Sequence, residues 1–138
     1  MADFGLSRII HHDGGGGIVQ NRTVCGTPLF MAPEILQRKP YDSFLVDVWA
    51  LGITIYIMVT MEVPFDFSDM NKAINDMVTK NWTWPEDKMK GKPSEDMKAI
   101  TAAMLDPDPT KRMPLIEVTN NAWIATEFKR AQALANKK

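Results

Sequence analysis

Cysteine is nearly absent from the 138 residues. Cys25 is the only one, so no disulfide forms within the chain, and a lone thiol fits a reducing compartment. An excess of charge of one sign is also lacking. Sixteen Lys and Arg stand against 17 Asp and Glu, a formal net charge of −1. That balance gives no electrostatic footprint for nucleic acid or for an anionic membrane. Long hydrophobic runs are missing too. The longest uncharged stretch runs from Val48 to Met61, bounded by Asp47 and Glu62, and is short of the roughly 20 residues of a spanning helix. The first residues show no basic region followed by an apolar one, so no signal peptide is expected. These absences lead to the expectation of a soluble, cytoplasmic chain, with the nucleus left open.

What is present is enough to build a core. The chain is 45% hydrophobic with ten methionines, too apolar for a disordered chain and long enough for one globular domain. The two histidines are adjacent, His11-His12, ahead of Asp13 and the run Gly14 to Gly17. No second cluster of ligands accompanies them, so a solvated loop is expected there rather than a metal site. Contiguous glycines favour a mobile loop. They lack the spacing and the strand–turn–helix setting of a phosphate-binding loop.

Helical signals begin at Pro33, which suits the first turn of a short helix from Ala32 to Gln37. Asp42 or Ser43 can cap a second helix, Phe44 to about Met61, which is apolar nearly all round and therefore expected at the centre of the fold. Ser68 is the expected cap of a third helix, with Met70, Ile74, Met77 and Val78 as its inner face. Trp82-Thr83-Trp84-Pro85 reads as an extended link. Ser94 can cap a fourth helix, with Glu95 and Asp96 complementing its dipole and Met97, Ile100, Met104 and Leu105 facing inward. A short fifth helix covers Ile116 to Asn121. A last amphipathic stretch puts Ile124, Phe128, Ala131 and Ala135 on one side, as a helix packing on the domain. The class is mainly α.

Four signals follow in one order. They are Asp3-Phe4-Gly5, Cys25-Gly26-Thr27-Pro28-Leu29-Phe30-Met31-Ala32-Pro33-Glu34, Asp47-Val48-Trp49-Ala50-Leu51-Gly52, and Arg112 after Asp106-Pro107-Asp108-Pro109. Each alone is weak. As an ordered set covering residues 1 to about 124, they resemble the C-terminal lobe of a eukaryotic-type serine/threonine protein kinase. The segment Trp49 to Tyr56 is most similar to the calcium/calmodulin-dependent group.

The resemblance implies roles. Asp3 looks like the carboxylate that holds Mg²⁺ against the phosphates of ATP, and so serves metal, cofactor and catalysis together. Phe4 looks like the side chain whose packing reports the active state, next to Gly5. Residues 3–34 would be the activation segment and 35–124 the helical part of a partial kinase domain, with 125–138 a helical tail. Thr23 stands where related kinases carry a phosphothreonine, and a phosphate there offers an arginine three acceptor oxygens. Thr27 looks like the substrate-loop threonine, and the Gly26-Thr27-Pro28 form implies Ser or Thr acceptors on a protein substrate. Glu34 and Arg112 look like a buried ion pair. Asp47 would accept hydrogen bonds from backbone amides of the catalytic loop. The basic tail, with Lys129, Arg130, Lys137 and Lys138, also fits a calmodulin-binding helix.

The 138 residues contain no Gly-rich loop of the kind that covers phosphates, no Val-Ala-Ile-Lys-like strand and no His-Arg-Asp segment. The resemblance therefore implies a kinase-like fold truncated on its N-terminal side, inactive alone, whose missing partner is the N-lobe and catalytic-loop half. Asp3, Thr23, Thr27 and Asp47 would find their partners there, whereas Glu34 and Arg112 are both present. An exposed apolar patch and weak stability are expected. The other reading is a non-catalytic module that binds a kinase or its substrates.

Overall fold

The computed structural model describes residues 5–7, 9–15, 17–87 and 92–136. The order is a single 3-10 turn at Pro28–Phe30, then α1 (Pro33–Leu36), α2 (Ser43–Thr60), α3 (Met70–Val78), α4 (Glu95–Met104), α5 (Leu115–Thr119) and α6 (Ala122–Ala135). Among the described residues there is no sheet, only the isolated bridges His12↔Ile18 and Asn21↔Tyr41. The fold is mainly α, as a kinase C-lobe without the β-rich lobe would be.

α2 is the axis. The Asp42 carboxylate accepts from the Phe44 amide and caps it, because an Asx side chain satisfies an amide the first turn leaves unpaired. By length and hydropathy (1.8 over 18 residues) α2 is apolar enough to cross a membrane. Its buried side marks it instead as a core helix. Trp49 and Ile53 pack with Phe65, Met77 and Leu105 in one cluster, and Val48 packs with Ile100, Met104 and Val118 in another. Each such side chain, fully enclosed, contributes about 1.5–3 kcal/mol. Gly52 lets α4 approach: a Cβ there would stand 2.9 Å from Leu105 Cδ2 and 3.0 Å from Met104 Cβ.

The opposite stripe of α2 is bare. Phe44 (46% exposed), Leu51 and Met58 (73%) recur seven residues apart on it, and Asp47 and Thr54 lie between them. Phe44 also borders an open apolar patch with Leu115 and Ile116.

Two expectations change. α3 is capped by Asp69, whose carboxylate accepts from the Asn71 and Lys72 amides, while Ser68 donates its own amide to Asp66. Of the expected inner face Met77 is buried and Ile74 half-buried, while Met70 and Val78 are exposed and Ala73 and Asp76 are buried instead. Asp76 is tolerated inside because Asn81 and Lys72 donate to it at 2.9 Å each, and these donors hold its carboxyl below the usual range. The last helix packs only by its first turn. Trp123 and Ile124 touch the Val48–Met104 cluster, but Phe128 and Leu134 are each 62% exposed and no residue of α6 is buried. Beside the glycine run, the Asp13 amide donates to Gly17 O (2.7 Å), and the Asp13 carboxylate accepts from the Gly15 and Gly17 amides.

Candidate functional site

The site is built where the loop before α1 meets the first turns of α2. Gly26 has φ +111°, a left-handed conformation that L side chains rarely adopt. Glycine is the residue that makes this bend without strain. The bend delivers Thr27 as the residue ahead of the 3-10 turn, where its carbonyl accepts from the Phe30 amide at 3.0 Å. Pro28 fixes the first position of that turn, as Pro33 does for α1.

Thr27 and Asp47 line the same cavity of about 380 Å³, together with Cys25, Tyr41 and Ala50. Asp47 is its only charged lining residue among those described. No hydrogen bond to the Asp47 carboxylate is found among the described residues; the residue is exposed, and partial desolvation against the cavity wall pushes its carboxyl above the ordinary value. On the other side of the Thr27 loop lies an apolar cavity of about 390 Å³, walled by Pro28, Leu29, Val63, Phe65 and Phe67.

The loop is tied to the helices through Glu34. Arg112 donates from Nη1 to Glu34 Oε1 (2.7 Å) and from Nη2 to Oε2 (2.9 Å). The pair is bidentate and buried, with side-chain exposure of 0% for Arg112 and 6% for Glu34. The same guanidinium donates to the carbonyls of Asp106 (2.9 Å) and Leu45 (3.0 Å). Its Cζ lies 5.1 Å from the centre of the Trp49 ring. One cation therefore joins α1, α2 and the turn after α4. A fork of fixed geometry suits this better than an ammonium does. The Trp49 contact has no signature in the sequence pattern, because it depends on the α2–α4 packing angle.

Thr23 is exposed; its amide meets the Asn21 side chain (3.3 Å), and its carbonyl accepts from the Tyr41 hydroxyl (2.7 Å). Sequence reasoning did not single out Asn21 or Tyr41. Gly5 is exposed. Asp3 and Phe4 lie outside the described residues.

The described residues do not fit a nucleotide or its cation. Among them no three His, Cys, Asp or Glu side chains come together as a metal site. The Thr27 cavity offers a carboxylate and no basic group to phosphates.

A loop bent at Gly26, a buried Glu34–Arg112 pair and an acid at the head of a core helix are a family's architecture, and comparison with known sequences agrees. The protein kinase domain family matches residues 1–124, and the chain belongs to that family. Testis-specific serine/threonine-protein kinase 2 of Mus musculus is 32% identical over 136 residues, 99% of this chain and 37% of that protein. CBL-interacting protein kinase 25 of Oryza sativa subsp. japonica is 33% identical over 129 residues, 94% of this chain and 24% of that protein. CBL-interacting serine/threonine-protein kinase 7 of Arabidopsis thaliana is 32% identical over 123 residues, 89% and 27%. Such relatives carry the likeness to the calcium/calmodulin-dependent group as well. The chain spans about a third of the length of the testis-specific relatives.

Proposed function

We propose that this chain is the substrate-presenting and switch-bearing part of an ATP-dependent serine/threonine protein kinase, and that it transfers no phosphate by itself. Phosphoryl transfer needs groups that cradle the phosphates, a lysine and a carboxylate at the acceptor hydroxyl. The 138 residues hold none of the segments that supply them. In the whole protein Asp3 would hold Mg²⁺, Thr27 would face the acceptor Ser or Thr, and phosphorylated Thr23 would order the loop. The apolar cavity beside Leu29 and Phe67 suits an apolar side chain of the protein substrate. The observation that carries the reading is the buried Glu34–Arg112 pair, which anchors the Thr27 loop to the helical body. An exposed free Cys25 favours the cytoplasm.

Radiolabelled ATP and a generic protein acceptor test this. The chain alone is expected to transfer nothing. Turnover that disappears with Asp3→Ala would overturn the reading.

The bare stripe of Phe44, Leu51 and Met58 favours a second reading, a non-catalytic module that binds a kinase or its substrates. The size of the native polypeptide separates the two. A cellular product of 15.6 kDa favours the module, and one about the length of the relatives favours the kinase. Calmodulin is a candidate partner for α6, whose exposed Phe128 and Leu134 flank Lys129 and Arg130. Calcium-dependent gel shift of the chain with calmodulin checks it.

A further inference from the structure

Residues 21–23 are held closed against the stretch between α1 and α2. The Asn21 amide donates to Tyr41 O (2.8 Å) and the Tyr41 amide to Asn21 O (2.9 Å). The Tyr41 hydroxyl donates to the Thr23 carbonyl (2.7 Å). Asn21 Oδ1 accepts from the Arg22 amide (2.9 Å) and the Thr23 amide (3.3 Å). Both backbone polar groups of Thr23 are thus taken inside the chain, although the residue itself is exposed. The Tyr41 ring is buried with Met31 and Ile35. Its hydroxyl is therefore a post fixed by the core, and the loop hangs on it.

An enzyme that acts on a peptide segment takes it extended and reads its main-chain donors and acceptors, as in strand addition. Here those groups are occupied. We propose that Tyr41 is a latch: its hydroxyl, with Asn21, keeps the Arg22–Thr23 segment from the active site of a second enzyme, and access begins when the Thr23 carbonyl is released. For phosphorylation this rests on the reading of Thr23 given above. The γ-phosphoryl group then passes from ATP to Thr23 Oγ1. The bond to ADP breaks as the new P–O bond forms, and the hydroxyl proton leaves to the second enzyme's base. The latch itself does not depend on that reading. Loss of one hydrogen bond, with the freed carbonyl rehydrated, shifts the opening equilibrium about fivefold.

The test uses the full chain and Tyr41→Phe, which keeps the buried ring. Trypsin cleaves after Arg22 and, at the end of α3, after Lys80. The ratio of the two rates in one molecule cancels general loosening. An approximately fivefold rise in the Arg22/Lys80 ratio is expected, and Asn21→Ala moves it the same way. An unchanged ratio, or a rise in both cleavages together, overturns the latch. A broad-specificity serine/threonine kinase with ATP forms the second arm, with sites mapped by mass spectrometry. Phosphate reaching Thr23 about fivefold faster in Tyr41→Phe supports latch and phosphosite together. A higher tryptic ratio with phosphate only on other residues keeps the latch and removes Thr23 as the switch.

Discussion

The loop before Pro28 and the helices after it are held by different physics. No described residue from 5 to 27 is buried. That segment is pinned by the two isolated bridges and a few hydrogen bonds from Asp13, Asn21 and Tyr41. From Met31 to Val118 the chain is built on three apolar clusters and one buried ion pair. Apolar burial and a desolvated charge pair are cooperative, because each depends on the whole enclosure. Exposed hydrogen bonds exchange with water at little net cost and can open one at a time. A segment that must be modified, or must receive a substrate, belongs with the second kind. The body that positions it belongs with the first.

The sharpest way to break this contrast is Arg112→Ala. It strands the Glu34 carboxylate and removes a charged link shared by α1, α2 and the turn after α4. Breaking a buried pair costs about 3–5 kcal/mol, and urea denaturation should show the helical body failing as a unit. A variant that loses less than about 1 kcal/mol would place the stability elsewhere.

Gly52→Ala comes next. A methyl group 2.9 Å from Leu105 Cδ2 and 3.0 Å from Met104 Cβ must push α4 away from α2. Overpacking of this kind costs about 1–3 kcal/mol. The thermal midpoint should fall while helix content below it is retained.

Asp47 tests the border between the two regions through pH. Its folded carboxyl is raised above the ordinary value by partial desolvation, although the residue is exposed. A raised acid binds its proton more tightly when folded. The wild type therefore loses stability as pH climbs from the unfolded carboxylate value, about 4, through the folded one, and the cost is complete at neutral pH. Asp47→Asn lacks that loss. It should be the more stable protein at pH 7, with the gap closing on acidification below pH 4. Parallel stability curves for the two proteins would show that the Asp47 carboxylate is already satisfied.

The smallest expected effect lies in the loop. Asp13→Ala removes the acceptor for the Gly15 and Gly17 amides and should speed hydrogen exchange locally. Global stability should change by no more than about 0.5 kcal/mol.

Much of this is legible in the sequence. The order of Asp-Phe-Gly, Gly-Thr-Pro, Pro-Glu and Asp-Val-Trp marks the family, because those spacings serve one loop and one core helix. Asp42 and Ser94 are caps because short polar side chains before an apolar run satisfy free amides, and the structure uses both. The cap of α3 was misplaced by one residue, since Ser68 and Asp69 are both good caps and only the path of the chain after Phe67 selects between them. The buried face is a separate matter: packing against the core takes Ala73 and Asp76 beside the expected Met77 and leaves Met70 and Val78 outside. α6 has an amphipathic pattern, but among the described residues nothing covers Phe128 and Leu134. A pattern shows that a helix has an apolar side and not that the side is covered.

The sequence by itself determined the family, the helical class and the residue types of the loop, because these follow from local preference and motif spacing. Tertiary structure alone decided the rest. It put Arg112 over Trp49, left one stripe of α2 uncovered among the described residues, placed Asp47 beside Thr27 and hung Thr23 on the hydroxyl of Tyr41. Those contacts join residues far apart in the chain. Their existence depends on where rigid helices cross, and no local pattern encodes a crossing.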